Sequence, residues 1–271
     1  ERVRDITDFE KPEGTIVSMG GQTPNNLALP LHKAGVKILG TSPEDIDRAE
    51  DRHKFSKVLD MLKISQPAWR QLKTLADAKA FARRVGYPVL VRPSYVLSGA
   101  AMNVVRDERS LAAFLTEATD VGPDHPVVIT KFIDPAKEIE IDAVADKGTV
   151  LCYAIGEHIE NAGVHSGDAT IVLPAQRLYI DTIRQVKKIT REIAKELHIT
   201  GPFNIQFLAH SNKVQVIEAN LRASRSFPFC SKVYKLNMID LATRALLGEK
   251  APKVERSLFD IDYVGVKAAQ F

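Results

Sequence analysis

The run Val216-Ile-Glu-Ala-Asn-Leu-Arg-Ala-Ser-Arg225 sets a carboxylate, Glu218, an amide, Asn220, and two guanidinium groups, Arg222 and Arg225, in close succession after an apolar stretch. Upstream, Phe203-Asn-Ile-Gln-Phe-Leu208 carries a second amide, Gln206. Carboxylate and amide oxygens suit a hard divalent cation. Arginine forks match phosphate oxygens in two places at once. Together they describe the surroundings of a metal-bound polyphosphate.

These groups work together only if the two runs pair as strands in one register. Ser211, Asn212 and Lys213 are expected to form a three-residue hairpin loop. Position 206 then lies opposite 218, and 204 opposite 220. Because side chains alternate along a strand, Asn204, Gln206, Glu218 and Asn220 share one face. Leu208 and Val216 pair further along it, while Phe203, Ile205, Phe207 and Ile217 fill the other face. A two-residue loop would put Gln206 and Glu218 on opposite faces. The alternative is an edge hairpin whose polar residues are merely solvated.

The rest of the chain alternates helix and strand before strands take over. Gly14 to Gly20 reads as a buried strand, Pro24 to Ala34 as a helix stopped by Gly35, and Val36 to Leu39 as a short strand. Ser42-Pro43-Glu44-Asp45 has the cap, proline and acids of a helix start. This opening looks like the tail of a βαβ unit. Thr74 caps a helix to Val85, Pro88 to Arg92 is a strand, and Asp107 caps the next helix. Strands are expected at 127–133, 137–145, 149–155, 169–173, 203–208 and 214–218, with one long amphipathic helix from Tyr179 to Leu197. Tyr263 to Lys267 reads as a last strand. The expected division is 1–54 as the end of an α/β domain, 55–130 as a small lid, and 131–271 as a larger sheet domain.

Other segments carry weaker signals. Arg92 stands at the mouth of the loop Pro93 to Gly99, whose small residues could lie against phosphates; a plain surface hairpin is the alternative. Lys131 to Glu138 joins two strands, with an apolar linker for a base and Glu138 for ribose hydroxyls, or is a turn with a solvated acid. Glu157 to Asp168 packs histidines, acids and glycines into an expected ligand-shaped loop. There is no Walker-type phosphate loop and no Rossmann glycine motif. Phosphoryl transfer does not need a protein nucleophile.

With 271 residues, 45% hydrophobic and 26% charged, the composition is that of an ordinary globular protein. A net charge of +3 gives no sign of nucleic acid as a partner. No apolar stretch approaches membrane-spanning length. Cys152 and Cys230 sit far apart in apolar surroundings, as expected of buried free thiols in a reducing compartment. A chain that begins at Glu1 and stops at Phe271 beside a strand is expected to be a piece of a longer one.

Gly20-Gly-Gln-Thr-Pro24, Arg92-Pro-Ser-Tyr-Val-Leu-Ser-Gly-Ala-Ala-Met102, Ala162-Gly-Val-His-Ser-Gly-Asp168 and Asn220-Leu-Arg-Ala-Ser-Arg-Ser-Phe-Pro-Phe229 together closely resemble the large subunit of carbamoyl phosphate synthetase. Ser94-Tyr-Val-Leu97 and Phe227-Pro-Phe229 look like its second, carbamate-phosphorylating half. Leu221, where many bacterial members have proline, looks like the eukaryotic enzymes. The resemblance implies an α/β (α+β) chain with the ATP-grasp fold: a small lid and a larger antiparallel-sheet subdomain, preceded by the tail of a pre-ATP-grasp domain. It implies a ligase that uses ATP and Mg²⁺ or Mn²⁺ to convert carbamate to carbamoyl phosphate, with partners in the remaining synthetase domains and a glutamine amidotransferase. A cytoplasmic location follows, with the mitochondrion as the alternative; pyrimidine and arginine/urea pathways stay open.

The same resemblance assigns ATP phosphates to Arg92 and Arg52, and the adenosine pocket to Lys131, Ile133 and Glu138. Gly163, Val164, His165 and Ser166 complete the nucleotide cradle. Gln206, Glu218 and Asn220 ligate the metal, the trio that the hairpin argument selects. Arg222 and Arg225 face the transferring phosphoryl group and carbamate. A potassium site is usual near Glu138, His158 and Glu160, and Ala169 stands where a hydroxyl residue is sometimes involved. The competing readings are another ATP-grasp enzyme, such as a biotin carboxylase, and a nucleotide-binding module inactive without its missing domains.

Overall fold

Short polar residues mark where the helices of this computed structural model begin. The side chains of Ser42, Asp51, Thr74 and Asn237 each accept the backbone N–H three residues on, and Asp107 accepts that of Ser110. The structure describes residues 2–72, 74–93, 103–121, 127–164, 167–252, 254 and 261–269, with only the backbone at 92, 93, 116–121 and 127. Residues 94–102, which include most of the loop Pro93 to Gly99 expected to lie against phosphates, are outside that set. The chain forms two units, residues 1–65 with 137–271 and residues 66–136.

The smaller unit runs β3 (Trp69–Leu72), α6 (Leu75–Val85), β4 (Val89–Pro93), β5 (Asn103–Val105), α7 (Glu108–Val121) and β6 (Val127–Lys131). Its four strands form an antiparallel sheet in the order β3-β6-β4-β5. Phe81 and Ala82 of α6 and Leu111 and Leu115 of α7 bury against Val89, Val91, Val105 and Ile129.

The larger unit opens with α1 (Arg2–Glu10), β1 (Thr15–Ile16), α2 (Gln22–Asn26), α3 (Ala28–Lys33), β2 (Ile38–Leu39), α4 (Pro43–Glu50) and α5 (Arg52–Met61). β1 and β2 pair in parallel, as a βαβ crossover requires. The single helix expected over 24–34 is two shorter ones, and the strand expected from Gly14 to Gly20 keeps only two residues. The helix α1 is not among the expected elements.

The rest of this unit is β7 (Lys137–Asp146), β8 (Thr149–Asn161), β9 (Ile171–Leu173), α8 (Ile180–Glu196), β10 (Gly201–His210), β11 (Lys213–Asn220), α9 (Phe227–Tyr234), α10 (Met238–Leu247) and β12 (Gly265–Lys267). Its strands make a six-stranded sheet in the order β11-β10-β7-β8-β9-β12, antiparallel throughout. One face is apolar. Ile139, Ile141, Ala143 and Ala145 of β7 and Phe203, Ile205 and Phe207 of β10 bury with Val186, Ile193 and Ala194 of α8, and with Phe55 and Leu59 of α5. The other face is covered only in part: Val144, Cys152 and Ala154 lie with Phe227, Cys230, Met238 and Leu241 of α9 and α10. Both cysteines are buried and free. Neither α9 nor α10 is among the expected elements, although Met238, Leu241, Ala242, Ala245 and Leu246 of α10 recur at helical spacing between the cap Asn237 and Gly248.

Ile205→Ala is expected to lower the unfolding free energy by about 2–5 kcal/mol, because Ile205 of β10 is wholly buried in the core. Phe9→Ala, at an 83% exposed position, should change it little. Denaturant midpoints of the two variants check this.

Candidate metal and phosphate site

The hairpin of β10 and β11 turns on two residues rather than three. Ser211 and Asn212 both adopt positive φ, 47° and 64°, and His210 pairs with Lys213. Positive φ at both central residues is the turn that matches strand twist. α8 holds this turn, with Thr182 Oγ1 donating to Asn212 Oδ1 at 2.8 Å and Gln185 Nε2 donating to Asn212 O at 2.9 Å. Such a turn should throw Gln206 and Glu218 to opposite faces. A β-bulge prevents it. Phe207 pairs with Val216, but Gln206 pairs with Glu218 and Asn204 with Asn220, so Ile217 is the extra residue. Val216 therefore packs in the apolar core instead of pairing with Leu208 on the polar face, and Leu208 pairs with Gln215. The bulge is held from outside: Arg52 donates to Ile217 O at 2.7 Å, and Val216 N–H donates to Ser65 O at 2.9 Å. Gln206, Glu218 and Asn220 thus share a face by a route other than the one expected.

That face continues across the sheet. On β7, Asp142 pairs with Asn204, Glu140 with Gln206, and Glu138 with Leu208. All three carboxylates are buried. On β8, Gly156 pairs with Glu140, and a Cβ there would come within 2.9 Å of Ile171. His158 lies just beyond, its Nδ1 3.9 Å from Glu138 and its Nε2 3.9 Å from Glu140. Burial alone would lower the His158 pKa; the carboxylates of Glu140, Glu138 and Glu160 override it and raise the value. Burial raises Glu138, against the pull of His158 and of the Gly163 N–H. Burial, with the repulsion of Glu140, pushes Asp142 up to about 6. The segment Glu157–Asn161, expected to be loop, is the end of β8.

Beyond β11 the chain leaves the sheet carrying its arginines. Arg222 Nε donates to Gln22 Oε1 at 2.9 Å, and its other nitrogens reach Ala223 O at 3.3 Å and Asn220 Oδ1 at 3.4 Å. Gln22 in turn donates to Glu50 at 2.7 Å, as does Asn25. Burial and the charge of Glu218 raise Glu50, while Gln22 and Arg222 oppose the shift. Arg225 is exposed.

The other expected contacts are placed as follows. Gly163 and Val164 lie in the turn after β8, while His165 and Ser166 lie outside the described residues. In the smaller unit, Arg92 is in β4, and Lys131 ends β6 with its Nζ donating to Gly86 O and Tyr87 O at 3.0 Å. Ile133 follows, half-buried. Glu140, Asp142, Gln22 and Glu50 were not singled out. The alternation Glu138-Ile-Glu140-Ile-Asp142 was a legible signal for the first two, since it sets three acids on one strand face.

Among the described residues no group of three or more His, Cys, Asp and Glu is arranged to hold a metal. The donor set here is instead one carboxylate and two amides. Asn220 Nδ2 donates to Glu218 Oε1 at 3.0 Å. One full negative charge with neutral oxygens beside it fits a hard cation that brings anionic phosphate ligands of its own.

Two family models together match most of the chain. "Carbamoyl-phosphate synthase L chain, ATP binding domain" covers residues 51–254, and "Carbamoyl phosphate synthase preATP-grasp domain" covers residues 1–48. The multifunctional protein pyrABCN of Emericella nidulans is 56% identical over all of this chain, which spans 12% of that protein. The mitochondrial carbamoyl-phosphate synthase [ammonia] of Aquarana catesbeiana is 55% identical, again over the whole chain and 18% of the relative. Among solved structures, the biotin carboxylase domain of Hydrogenobacter thermophilus 2-oxoglutarate carboxylase, in complex with MgADP, ADP and bicarbonate, aligns with a TM-score of 0.79 at 19% identity, covering 98% of this chain and 60% of that one. The fold is the ATP-grasp fold, with a pre-ATP-grasp segment before it.

Asp142 supplies a pH test of the polar face. Its pKa is raised from the ordinary 3.8 to about 6, so folding favours the protonated acid. Its stabilising contribution is complete below pH 3.8 and is lost as pH rises through about 6. The groups facing it are Glu140 on β7, Asn204 on β10, Ser224 and Ser226, and Cys230 on α9. Asp142→Asn should flatten the fall in stability over that window by up to one proton's worth, roughly 1.4 kcal/mol per pH unit. Unfolding curves of both proteins across the window check it.

Proposed function

Because the chain belongs to the carbamoyl-phosphate synthase large-chain family, we propose that it phosphorylates carbamate with MgATP as one ATP-grasp unit of a longer synthase. The observation that carries this reading is the shared face of Gln206, Glu218 and Asn220, continued by Arg222 and Arg225 as the chain leaves β11. The unit is read as the second synthetase half of the eukaryotic type, supported by Ser94-Tyr-Val-Leu97, Leu221 and Phe227-Pro-Phe229.

Phosphoryl transfer asks the protein for position and charge rather than for a nucleophile. A carbamate oxygen bonds to the γ-phosphorus while the bond from that phosphorus to the β-γ bridging oxygen breaks, and the departing electron pair stays on ADP. Glu218, Gln206 and Asn220 would hold Mg²⁺, or Mn²⁺ in its place, and the ion supplies charge neutralisation of the polyphosphate. Arg222 is held by Gln22 and Asn220, so its charge is fixed before reaction. Arg225 contributes the second guanidinium toward phosphoryl group and carbamate. Glu138 takes the ribose hydroxyls, and Gly163, Val164, His165 and Ser166 line the nucleotide. Arg52, Arg92, Lys131 and Ile133 are assigned nucleotide contacts through the resemblance. A potassium site near Glu138, His158 and Glu160 is assigned through the resemblance alone.

Functionally, residues 1–54 are assigned to the pre-ATP-grasp domain, 55–130 to the lid and 131–271 to the main nucleotide-binding part; the compact units divide instead at 66 and 136, so α5 packs with the larger one. The proposed partners are the remaining synthase domains and a glutamine amidotransferase, in the cytoplasm or, as in the name of the Aquarana catesbeiana relative, the mitochondrion. No helix among the described residues is long and apolar enough to cross a membrane.

Incubation with MgADP and carbamoyl phosphate should produce ATP, and Glu218→Gln should reduce the rate on the order of 100-fold. Its loss removes the one full charge of the trio. No ATP from protein that binds MgADP would count against the carbamate assignment.

A further inference from the structure

Asp142 has no place in the metal trio or the nucleotide contacts, yet it is the most enclosed carboxylate of the polar face, with 0% of its surface exposed. Its Oδ1 accepts from Ser224 Oγ at 2.5 Å and from Asn204 Nδ2 at 3.1 Å. Its Oδ2 accepts from Ser226 Oγ at 2.9 Å and from Cys230 Sγ at 3.4 Å. A carboxylate offers about four acceptor sites, so these donors fill it. Two of them, Ser224 and Ser226, flank Arg225 directly, and Ser224 is two residues from Arg222. The two serine hydroxyls also lie 3.0 Å apart.

We propose that Asp142 is a positioning residue that fixes the backbone of the arginine-bearing segment 221–226, and through it the reach of Arg225. A buried charge is a poor choice for stability alone, since a well-packed apolar group often does as well. What the carboxylate adds is direction: both serine hydroxyls converge on one side chain of the central strand. Arg222 has its own anchors in Gln22 and Asn220, and Ala223 N–H donates to Ser18 O at 2.8 Å. Arg225 is exposed, and its place is set by its two serine neighbours. Asp142 therefore acts through Ser224 and Ser226 and touches neither metal nor phosphate.

The inference rests on the proposed role of Arg225 in phosphoryl transfer, and its test separates the two. Ser224→Ala removes one bond to Asp142 without opening a charge. Ser224→Thr keeps the hydroxyl and is the conservative control. In Ser224→Ala, amide hydrogen exchange at 221–226 should quicken roughly tenfold or more, as loss of a bond to a charged group implies, with β7 and β10 unchanged and Ser224→Thr close to the parent. With MgADP and carbamoyl phosphate, KM for carbamoyl phosphate should rise by a similar factor while KM for MgADP holds. If the parent protein makes no ATP, quickened exchange confined to 221–226 still supports the anchor while the functional reading fails. Unchanged exchange in both Ser224→Ala and Asp142→Asn overturns the anchor, whatever the activity. Should Asp142→Asn not fold, Ser224→Ala alone decides in the same terms.

Discussion

Everything at this site depends on one extra residue in one strand. Strand side chains repeat every two positions, so a tight two-residue turn between Gln206 and Glu218 would send them to opposite faces of the sheet. Ile217 is inserted between the residues that pair with Phe207 and Gln206, and parity is restored. The same insertion lets Val214 and Val216 point into the core on one side of the bulge, and Ala219 and Leu221 on the other. A bulge leaves backbone groups without ladder partners. Here Arg52 takes the Ile217 carbonyl, so a residue of α5 fixes the register that brings Gln206, Glu218 and Asn220 to one face.

The sheet is asymmetric in consequence. Its apolar face is filled by α8 and α5, while α9 and α10 cover only part of the other. Where that cover ends, acids and amides of β7, β10 and β11 line up in rows. Burying several carboxylates together is costly, and the raised pKa values of Glu138 and Asp142 record the cost. A histidine, serine hydroxyls and amides meet the acids from neighbouring elements. The N-terminal segment joins in through Gln22, Asn25 and Glu50, which support Arg222 from outside the sheet.

Much of this was legible in the residues themselves. Cap residues at Ser42, Thr74 and Asp107 placed three helix starts, and the apolar alternation of Phe203 to Leu208 gave β10. The shared face of Gln206, Glu218 and Asn220 was also expected, though from a three-residue loop that does not exist. Turn length and bulge are compensating features, and local propensity cannot see a bulge whose carbonyl is satisfied by an arginine far away in sequence. Gln22 and Glu50 were hidden for the same reason: their meaning comes from Arg222, a long-range partner. Glu140 and Asp142 were readable from alternation but lay in the shadow of Glu138. Helix α10 was readable as well, from Met238, Leu241, Ala242, Ala245 and Leu246 at helical spacing, whereas the short α9 is fixed by what it covers.

On the proposed function, the face shared by Gln206, Glu218 and Asn220 holds a divalent cation together with nucleotide phosphates. Paramagnetic broadening of backbone NMR signals by Mn²⁺ in the presence of ADP tests it most directly. Broadening is expected to centre on residues 204–206 and 218–222 and to fade when Mg²⁺ is added in excess. Broadening centred elsewhere, or none at these residues while ADP is bound, would contradict it.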